Sequence, residues 1–313
     1  MFKKYLRVQP ASIQLVIFLS FWSVLYLLGQ FASITYVRVS MHLTSDKVMD
    51  FISKDIYKYP MEVFVCGAIS SVFCFLLPAL IFAYLADPKP MAYLGVKKQQ
   101  KNIQLLVVVI MAFLLICFVS PLATWMQKLN LGDASKALDE EREQFLQSYL
   151  SSSSAITTLR SILLIAVIPA ICEECFFRGI FMKLLHSFVP NWWFSIGVSA
   201  IIFAAFHFSI SEFLPICLAG IILGIVYYLT SSLWLSILLH LLFNGLQALL
   251  SIYSNPTLES YLSKNTVSLG LFAISSLLIA GCLSLLFKNK TPLPERWSIM
   301  VPEIIEEKWD MNA

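Results

Sequence analysis

Residues Ile103–Ala123 read IQLLVVVIMAFLLICFVSPLA and contain no Asp, Glu, Lys, Arg or His side chain. The hydrocarbon core of a bilayer is about 30 Å thick, and a helix of roughly 20 apolar residues crosses it. A helix forms hydrogen bonds between its own backbone N–H and C=O groups, whereas lipid offers no partners to the backbone of an extended chain. This stretch therefore predicts a transmembrane helix and indicates that lipid is the main solvent of the protein.

Similar apolar runs recur on both sides of this stretch, and short polar turns separate them. Together they give eight predicted spans: Ile13–Val37, Glu62–Ala86, Ile103–Ala123, Leu159–Leu185, Trp192–Phe208, Phe213–Leu229, Leu233–Ser251 and Val267–Phe287. No small-residue cleavage site closes the first run, so we expect it to remain as a span. The predicted fold is all-α, a polytopic membrane helix bundle of about eight transmembrane helices.

The composition agrees with a membrane protein. Of the 313 residues, 58% are hydrophobic and 13% are charged, whereas a soluble domain has about 45–50% apolar and about 25% charged residues. So few polar residues cannot cover a soluble fold of this size. A soluble globular enzyme, a disordered protein and a disulfide-rich secreted domain are thereby excluded, and a net charge of +3 is too small to indicate nucleic-acid binding.

Polar stretches divide the chain into four predicted regions. Residues 1–123 form an N-terminal three-span membrane region, 124–157 an outer insertion, 158–287 a five-span catalytic core and 288–313 a polar C-terminal tail. Within the insertion, Leu138–Leu150 is amphipathic and is interpreted as a surface helix resting on the bilayer, with a substrate-gating element as the alternative. We expect the tail to be mostly extended or disordered.

Basic residues predict the orientation in the membrane. Lys and Arg cluster before the first span, after the second and after the last. With eight spans these places share one side, which the positive-inside rule makes cytoplasmic. We therefore expect an integral protein of the plasma (inner) membrane with both termini in the cytoplasm. The loop after the first span counts against this orientation, because it carries Arg38, Lys47, Lys54 and Lys58.

Polar side chains are concentrated in the second half of the protein. An ionisable group inside a span costs about 2.5–3.5 kcal/mol on insertion scales, and the first three spans nearly lack such groups. Later spans contain six conspicuous polar residues: Glu173, Glu174, Arg178, His207, His240 and Asn244. Intramembrane polar residues either connect helices or form functional sites.

The two adjacent glutamates predict different roles. Neighbouring helix residues point about 100° apart, so Glu173 and Glu174 cannot meet one partner. Glu174 and Arg178 are four residues apart and can form an ion pair along one face. Glu173 is then directed toward other helices, and we interpret it as functional.

The remaining three residues have open interpretations when taken singly. His207 is equally well explained by a structural hydrogen bond. His240 and Asn244 lie one turn apart on one helix face and could clamp two helices together. Combined with Glu173, they could instead catalyse hydrolysis, because a buried carboxylate can act as general base toward water and imidazole or amide N–H groups can stabilise an oxyanion.

The predicted span boundaries leave a depth mismatch. At 1.5 Å per residue, Glu173 falls near the middle of its span, His240 nearer the cytoplasmic end and His207 nearer the outer end. Convergence therefore requires tilted or offset helices, or a boundary error in Trp192–Phe208.

These residues resemble the three motifs of the CAAX protease and bacteriocin-processing (CPBP, or Abi) family of intramembrane proteases, which is related to type II CAAX prenyl endopeptidases. The family pattern is E-E-x-x-x-R, then F-x-x-x-H, then H-x-x-x-N or H-x-x-x-B, on separate helices. The matching residues are Glu173-Glu174-Cys-Phe-Phe-Arg178, Phe203-Ala-Ala-Phe-His207 and His240-Leu-Leu-Phe-Asn244. The resemblance extends over about Leu159–Leu250.

The resemblance implies an intramembrane endopeptidase that hydrolyses a peptide bond of a membrane-bound or lipidated peptide or protein. Glu173 resembles the catalytic glutamate that activates water together with His207. His240 and Asn244 resemble the pair that stabilises the oxyanion. The implied partners are the lipid bilayer and a membrane-associated peptide or lipidated protein substrate, with no nucleic acid.

The same resemblance implies supporting roles for Glu174 and Arg178, which position the first motif. It implies no cofactor. A divalent metal such as zinc remains the alternative, since two histidines and a glutamate form a common zinc site; the ligands would then be Glu173, His207 and His240.

Two other classes of protein fit the same polar residues. A polytopic transporter is one alternative, because intramembrane acids and histidines also mark ion paths. A non-catalytic bacteriocin-immunity or scaffold membrane protein is the other.

Overall fold

All regular elements are helices in the computed structural model, which describes residues 6, 9–96, 101–129, 131–150, 154–253, 265–294 and 297. We number the helices as α1 Ala11–Ser40, α2 Val48–Lys54, α3 Pro60–Ala86, α4 Pro90–Leu94, α5 Asn102–Gln127, α6 Asp133–Leu150, α7 Ala155–Phe188, α8 Trp192–Ala205, α9 Phe213–Thr230, α10 Leu233–Ile252 and α11 Asn265–Lys288. A short 3₁₀ turn, Ile56–Lys58, follows α2. The predicted all-α fold is confirmed.

Seven of the helices within these described ranges are long and apolar enough to cross a membrane, namely α1, α3, α5, α7, α9, α10 and α11. The eighth apolar helix, α8, has 14 residues and is therefore about 21 Å long. The prediction of about eight membrane helices is confirmed, and most boundaries differ from the predicted ones by one turn or less.

Two of the long helices contain π-helical turns. In α3 the turn is Val72–Leu76, and in α7 the turns are Leu163–Val167 and Phe177–Phe181. Proline at 78 and at 169 follows two of them, and proline cannot donate the regular helical hydrogen bond. The α-helical piece between the two turns of α7, Ile168–Phe176, carries both glutamates of the first motif.

The helices that carry the three motifs are packed in one bundle with α5 and α9. Helix α8 packs along α9, while α10 packs on α5 and on α7. The approach of α8 to α9 is close at Gly220, where an added Cβ would lie 3.2 Å from the Cβ of Ala200. Aromatic side chains of α1, α3 and α7 fill the main core on the other side, including Phe18, Phe82 and Phe176.

The amphipathic helix starts earlier than Leu138, the predicted first residue. Helix α6 begins at Asp133, directly after Gly132, whose φ of +92° suits glycine. An acidic residue in the first turn is also favourable for the helix dipole. Helix α6 contacts α7, α10 and the 3₁₀ turn. It therefore lies outside the spans and packs on the other helices of the protein.

The first residues of the C-terminal tail are extended but fixed to the bundle. The backbone N–H of Thr291 donates to the carbonyl of Leu229 at 2.9 Å. Trp297 is 2% exposed and stacks on Tyr227 with ring centroids 4.8 Å apart, while the Lys183 ammonium lies 4.1 Å from its ring. Trp297 thus ties the described part of the tail to the core through an aromatic partner; the prediction for tail residues 295–296 and 298–313 lies outside the described residues.

Candidate active site

Glu173 and His207 lie on the wall of one open cavity of ≈ 490 Å³. The turn at 189–191 joins the helices that position them. Glu173 lies about 15 residues before the end of α7 at Phe188. His207 lies about 15 residues after the start of α8 at Trp192. Both separations correspond to about 23 Å along a helix. The hairpin therefore brings the two side chains to the same depth.

This arrangement removes the predicted depth mismatch. Helix α8 ends at Ala205 and not at Phe208, so His207 lies in the turn beyond the helix. His240 lies only about seven residues after the start of α10 at Leu233, which is about 10 Å along the helix. It nevertheless contacts Glu174. The offset of α10 along α7 accounts for the apparent difference in depth.

Glu174 is the centre of a buried hydrogen-bond network. Its carboxylate accepts from the Arg178 guanidinium at 2.6 Å, from the Ser236 hydroxyl at 2.6 Å and from His240 Nδ1 at 3.0 Å. The side chains of Glu174 and Arg178 are 0% and 1% exposed. The ion pair that the four-residue spacing predicts is therefore present, and it is fully desolvated.

Arg178 also connects two further helices. Its second guanidinium nitrogen donates to the Gly220 carbonyl of α9 at 2.9 Å. Its Cζ atom lies 4.7 Å from the centroid of the Phe203 ring of α8. The single arginine thus holds α7, α8 and α9 in a fixed relation around Glu174.

Glu173 differs sharply from its neighbour. Its Oε2 atom is buried and has no hydrogen-bond partner in the described part of the chain. The nearest ionisable contact is His240 Nε2, 3.9 Å away, which is beyond hydrogen-bond distance. Glu173 lines the cavity with a side chain that is 13% exposed, although its Oε2 atom is itself enclosed by protein.

His207 is oriented by its own backbone. Its Nδ1 atom lies 2.9 Å from the Phe203 carbonyl, which can only accept, so Nδ1 carries the proton of the neutral ring. The lone pair then lies on Nε2, which can accept a hydrogen bond from water.

His240 and Asn244 are placed behind the cavity wall. The ring of His240 is 3% exposed and donates from Nδ1 to Glu174. The Asn244 amide donates to the Ile165 carbonyl at 3.1 Å, in the first π turn of α7. The structure thus bonds His240 to Glu174, leaves its Nε2 atom 3.9 Å from Glu173, and places Asn244 against α7.

Two residues of the site were missed in the sequence. Ser236 precedes His240 by four residues, so the same helical spacing that groups His240 and Asn244 could have identified it. Arg142 of α6 lines the cavity and pairs with Glu212 at 2.5 Å. No local spacing identifies Arg142, because Glu212 lies beyond two further helices.

The other walls of the cavity are largely aromatic, and they include one tyrosine and one glutamate side chain. Six phenylalanines line it: Phe75, Phe145, Phe177, Phe203, Phe206 and Phe208. Tyr57 and Glu141 also line it. Burial, and next the Glu141 carboxylate, raise the pKa of Tyr57 above its usual value, so its hydroxyl stays a donor at neutral pH. The cavity can accept a largely apolar ligand that carries a few polar groups.

The alternative zinc site is not preformed in this geometry. Among the described residues, no group of three or more His, Cys, Asp or Glu side chains is placed to hold a metal ion. Nδ1 of His240 and Nδ1 of His207 bond to Glu174 and to a carbonyl, which leaves their Nε2 atoms as the possible metal ligands.

Comparison with known proteins supports the family resemblance. Residues 155–246 match the family model described as "Rce1-like: Type II CAAX prenyl endopeptidase Rce1-like". The matched segment, under a third of the chain, contains all three motifs and confirms the similarity to CAAX proteases. No curated protein and no solved structure matches the chain significantly.

Proposed function

We propose that this protein is an intramembrane endopeptidase that hydrolyses a peptide bond of a membrane-bound or lipidated peptide or protein. One observation carries the proposal: Glu173, whose side chain is 13% exposed, lines a cavity together with His207, and its Oε2 atom has no hydrogen-bond partner among the described residues. The adjacent Glu174 is fully bonded. The contrast supports a structural role for Glu174 and a chemical role for Glu173.

Charge balance supports a base at Glu173. Glu174 is paired with Arg178, which leaves Glu173 as the carboxylate without a bonded cation among the described residues of the site. Nδ1 of His240 is used on Glu174, so donation by this ring to an oxyanion requires a proton on Nε2. A low-dielectric site strengthens such preorganised donors.

The proposed reaction uses one water molecule. His207 Nε2 accepts a hydrogen bond from this water, and Glu173 removes its other proton as the water oxygen bonds to the scissile carbonyl carbon. His240 donates to the resulting oxyanion. When the C–N bond breaks, the proton passes from Glu173 to the leaving amine, and the other product is a carboxylic acid.

Asn244 has a restricted part in this proposal. One of its amide N–H groups is used on the Ile165 carbonyl, and only the second can donate to the oxyanion beside His240. The bonded N–H also holds α10 on the π turn of α7. Glu174, Arg178 and Ser236 are proposed as positioning residues, because they fix the ring of His240 and the backbone beside Glu173.

Replacement His207→Gln is expected to lower hydrolysis by about 10²-fold or more, because the water loses a positioned acceptor. The measurement uses purified protein in liposomes, a quenched fluorescent farnesylated peptide and mass spectrometry of its products. In H₂¹⁸O the new carboxyl group should contain one ¹⁸O atom. The matched control is His186→Gln, since His186 stacks on Trp192 far along α7 and should remain active.

Unchanged turnover in His207→Gln would contradict the proposed mechanism. Solute flux that depends on Glu173, in the absence of any peptide cleavage, would favour the transporter alternative instead.

We also propose that both termini face the cytoplasm and that the protein lies in the plasma (inner) membrane. Lys101 donates to the carbonyls of Asn289 and Lys290, so two of the basic clusters lie at one end of the bundle. The cavity lies at the opposite end, beside α6. In this orientation the substrate reaches Glu173 from the outer face.

A pair of fusions tests this orientation. Alkaline phosphatase inserted at Gly132, whose Cα faces open space, is expected to be active because folding of this reporter requires export. Green fluorescent protein fused after the last residue is expected to fluoresce. The inverse pattern would place the cavity on the cytoplasmic side and contradict the proposed orientation.

A further inference from the structure

The turn between α8 and α9, which carries His207, is bonded to helix α6. The Ser209 hydroxyl donates to Oδ1 of Asp139 at 2.7 Å. Arg142, three residues further along α6, pairs with Glu212 at 2.5 Å and makes a long contact of 3.5 Å with the His207 carbonyl. The two side-chain pairs are spaced three residues apart both on α6 and in the turn, and we call them the clasp.

The first pair of the clasp is fixed on both sides. The hydroxyl of Ser209, a residue that is 4% exposed, also accepts from the backbone N–H of Glu212 at 3.1 Å. Oδ2 of Asp139 accepts from the hydroxyl of Ser135, another buried residue, at 3.4 Å. Both side chains of the pair therefore have a second partner, which restricts their orientation.

The turn has a backbone conformation that its own sequence does not favour. Phe208, directly after His207, has a φ of +50°, and this left-handed region is disfavoured for an L-residue by a factor of about 5 to 30. The Phe208 side chain is 67% exposed, so its packing contributes little to holding this conformation. Such a conformation persists only where surrounding contacts hold it. The clasp supplies contacts at both flanking residues, through the His207 carbonyl and the Ser209 hydroxyl.

The position of the His207 ring depends on this turn. Helix α8 ends at Ala205, so His207 lies beyond the regular helix. Because α8 and α9 fix the two ends of the turn, a change of φ at Phe208 must be absorbed by the residues between them, which include His207. Such a change would move the ring relative to Glu173 on the cavity wall.

We propose that Asp139 and Arg142 of α6 are positioning residues of the hydrolytic site, because the clasp holds the turn in the conformation that presents His207 to the attacking water. This inference rests on the proposed function, since it gives α6 a part in that same site. Helix α6 precedes the segment that matches the family model. The clasp is therefore supplied by a part of this chain outside the shared motifs.

Asp139→Ala is expected to lower kcat for the farnesylated peptide by about 5- to 30-fold, the factor by which the left-handed conformation is disfavoured, and to leave KM near the wild-type value. Asp139→Asn keeps an oxygen that can accept from the Ser209 hydroxyl, so it should restore most of the rate. The matched control is Glu143→Ala. Glu143 is an exposed acidic residue of the same helix that bonds Gln147 within α6, and its replacement should leave kcat unchanged.

A second measurement reports the His207 ring without turnover. The chain contains four histidines, so protein with ¹³C,¹⁵N-labelled histidine gives a simple NMR spectrum of the rings, and His207→Gln assigns the signal. Asp139→Ala and Ser209→Ala break one contact from its two sides, and each should shift the His207 signal even if one of them lowers the yield of protein. The His186 signal should stay in place, because His186 stacks on Trp192 at the other end of α8.

Glycine at position 208 separates positioning from a general loss of structure. Glycine adopts a positive φ readily, so in Phe208→Gly the turn no longer depends on the clasp. Adding Asp139→Ala to this protein should lower kcat by only about 2-fold or less, and the difference from the effect in the wild type measures the coupling. Because Phe208 lines the cavity, the double variant is compared with Phe208→Gly.

Three results would overturn the inference: a His207 signal that stays unchanged in both alanine variants, a loss that appears in KM alone, or an equal fall in kcat with phenylalanine and with glycine at position 208. Failure of the proposed function is distinguishable from these. A His207 signal that depends on Asp139, in a wild-type protein that cleaves no peptide, would retain the clasp and reject the hydrolase. Cleavage that is indifferent to Asp139, with an unchanged His207 signal, would do the reverse.

Discussion

Glu173→Gln is expected to lower peptide hydrolysis by about 10²- to 10⁴-fold, the usual contribution of a general base, while the protein stays folded. The amide has nearly the shape of the carboxylate but cannot take a proton from water. Because Glu173 Oε2 has no hydrogen bond to protein in the described structure, its replacement breaks none. The measurements are initial rates of cleavage and the thermal midpoint Tm of the same preparations.

Two other glutamates supply the comparison. Glu62→Gln changes a carboxylate in another span, outside the cavity, and should leave both rate and Tm near the wild-type values. Glu174→Gln should lower both, because its carboxylate accepts three hydrogen bonds. A Glu173→Gln protein that cleaves at the wild-type rate would reject Glu173 as the base.

Arg178→Met is expected to reduce the free energy of unfolding by about 3–5 kcal/mol, as when one partner of a buried ion pair is removed. The replacement leaves the Glu174 carboxylate in a site that is 0% exposed. It also removes the bond to the Gly220 carbonyl and the contact with the Phe203 ring. The loss should appear as a low yield of monodisperse protein and a strongly reduced Tm.

Two matched variants separate charge from geometry. Arg178→Lys keeps the charge but cannot bond Glu174 and Gly220 together through one planar group, so its Tm should be intermediate. Arg160→Met removes an arginine from the same helix outside the network and should be close to wild type. A wild-type Tm for Arg178→Met would show that the buried pair does not stabilise the bundle.

The fold was largely predictable because lipid makes simple demands of a sequence. A charge-free run such as Ile103–Ala123 has one stable solution in a bilayer, and α5 contains it entirely. The limits of the spans were less predictable. Helix α8 ends before His207 although its apolar run continues to Phe208, since an apolar residue in a turn is indistinguishable from one in a helix by hydropathy alone.

The candidate site was predictable where its contacts are local. The four-residue spacing of Glu174 and Arg178 predicts their ion pair, because a helix fixes that geometry. Contacts between distant elements carried no such signal. The pairing of Arg142 with Glu212 depends on how α6 folds back over the bundle, and a periodic pattern in α6 reports only that one face is apolar.

The shortness of α8 has a consequence for the lipid itself. A helix of about 21 Å is matched to a hydrocarbon layer thinner than the average of about 30 Å, and local thinning of the bilayer is one way to accommodate such a helix. Headgroups and their hydration water are then drawn inward toward the end of α8, where His207 lies. The membrane next to this protein would thus be deformed into a dimple, which carries water and the polar part of a lipid-anchored chain to a depth that neither reaches in a flat bilayer.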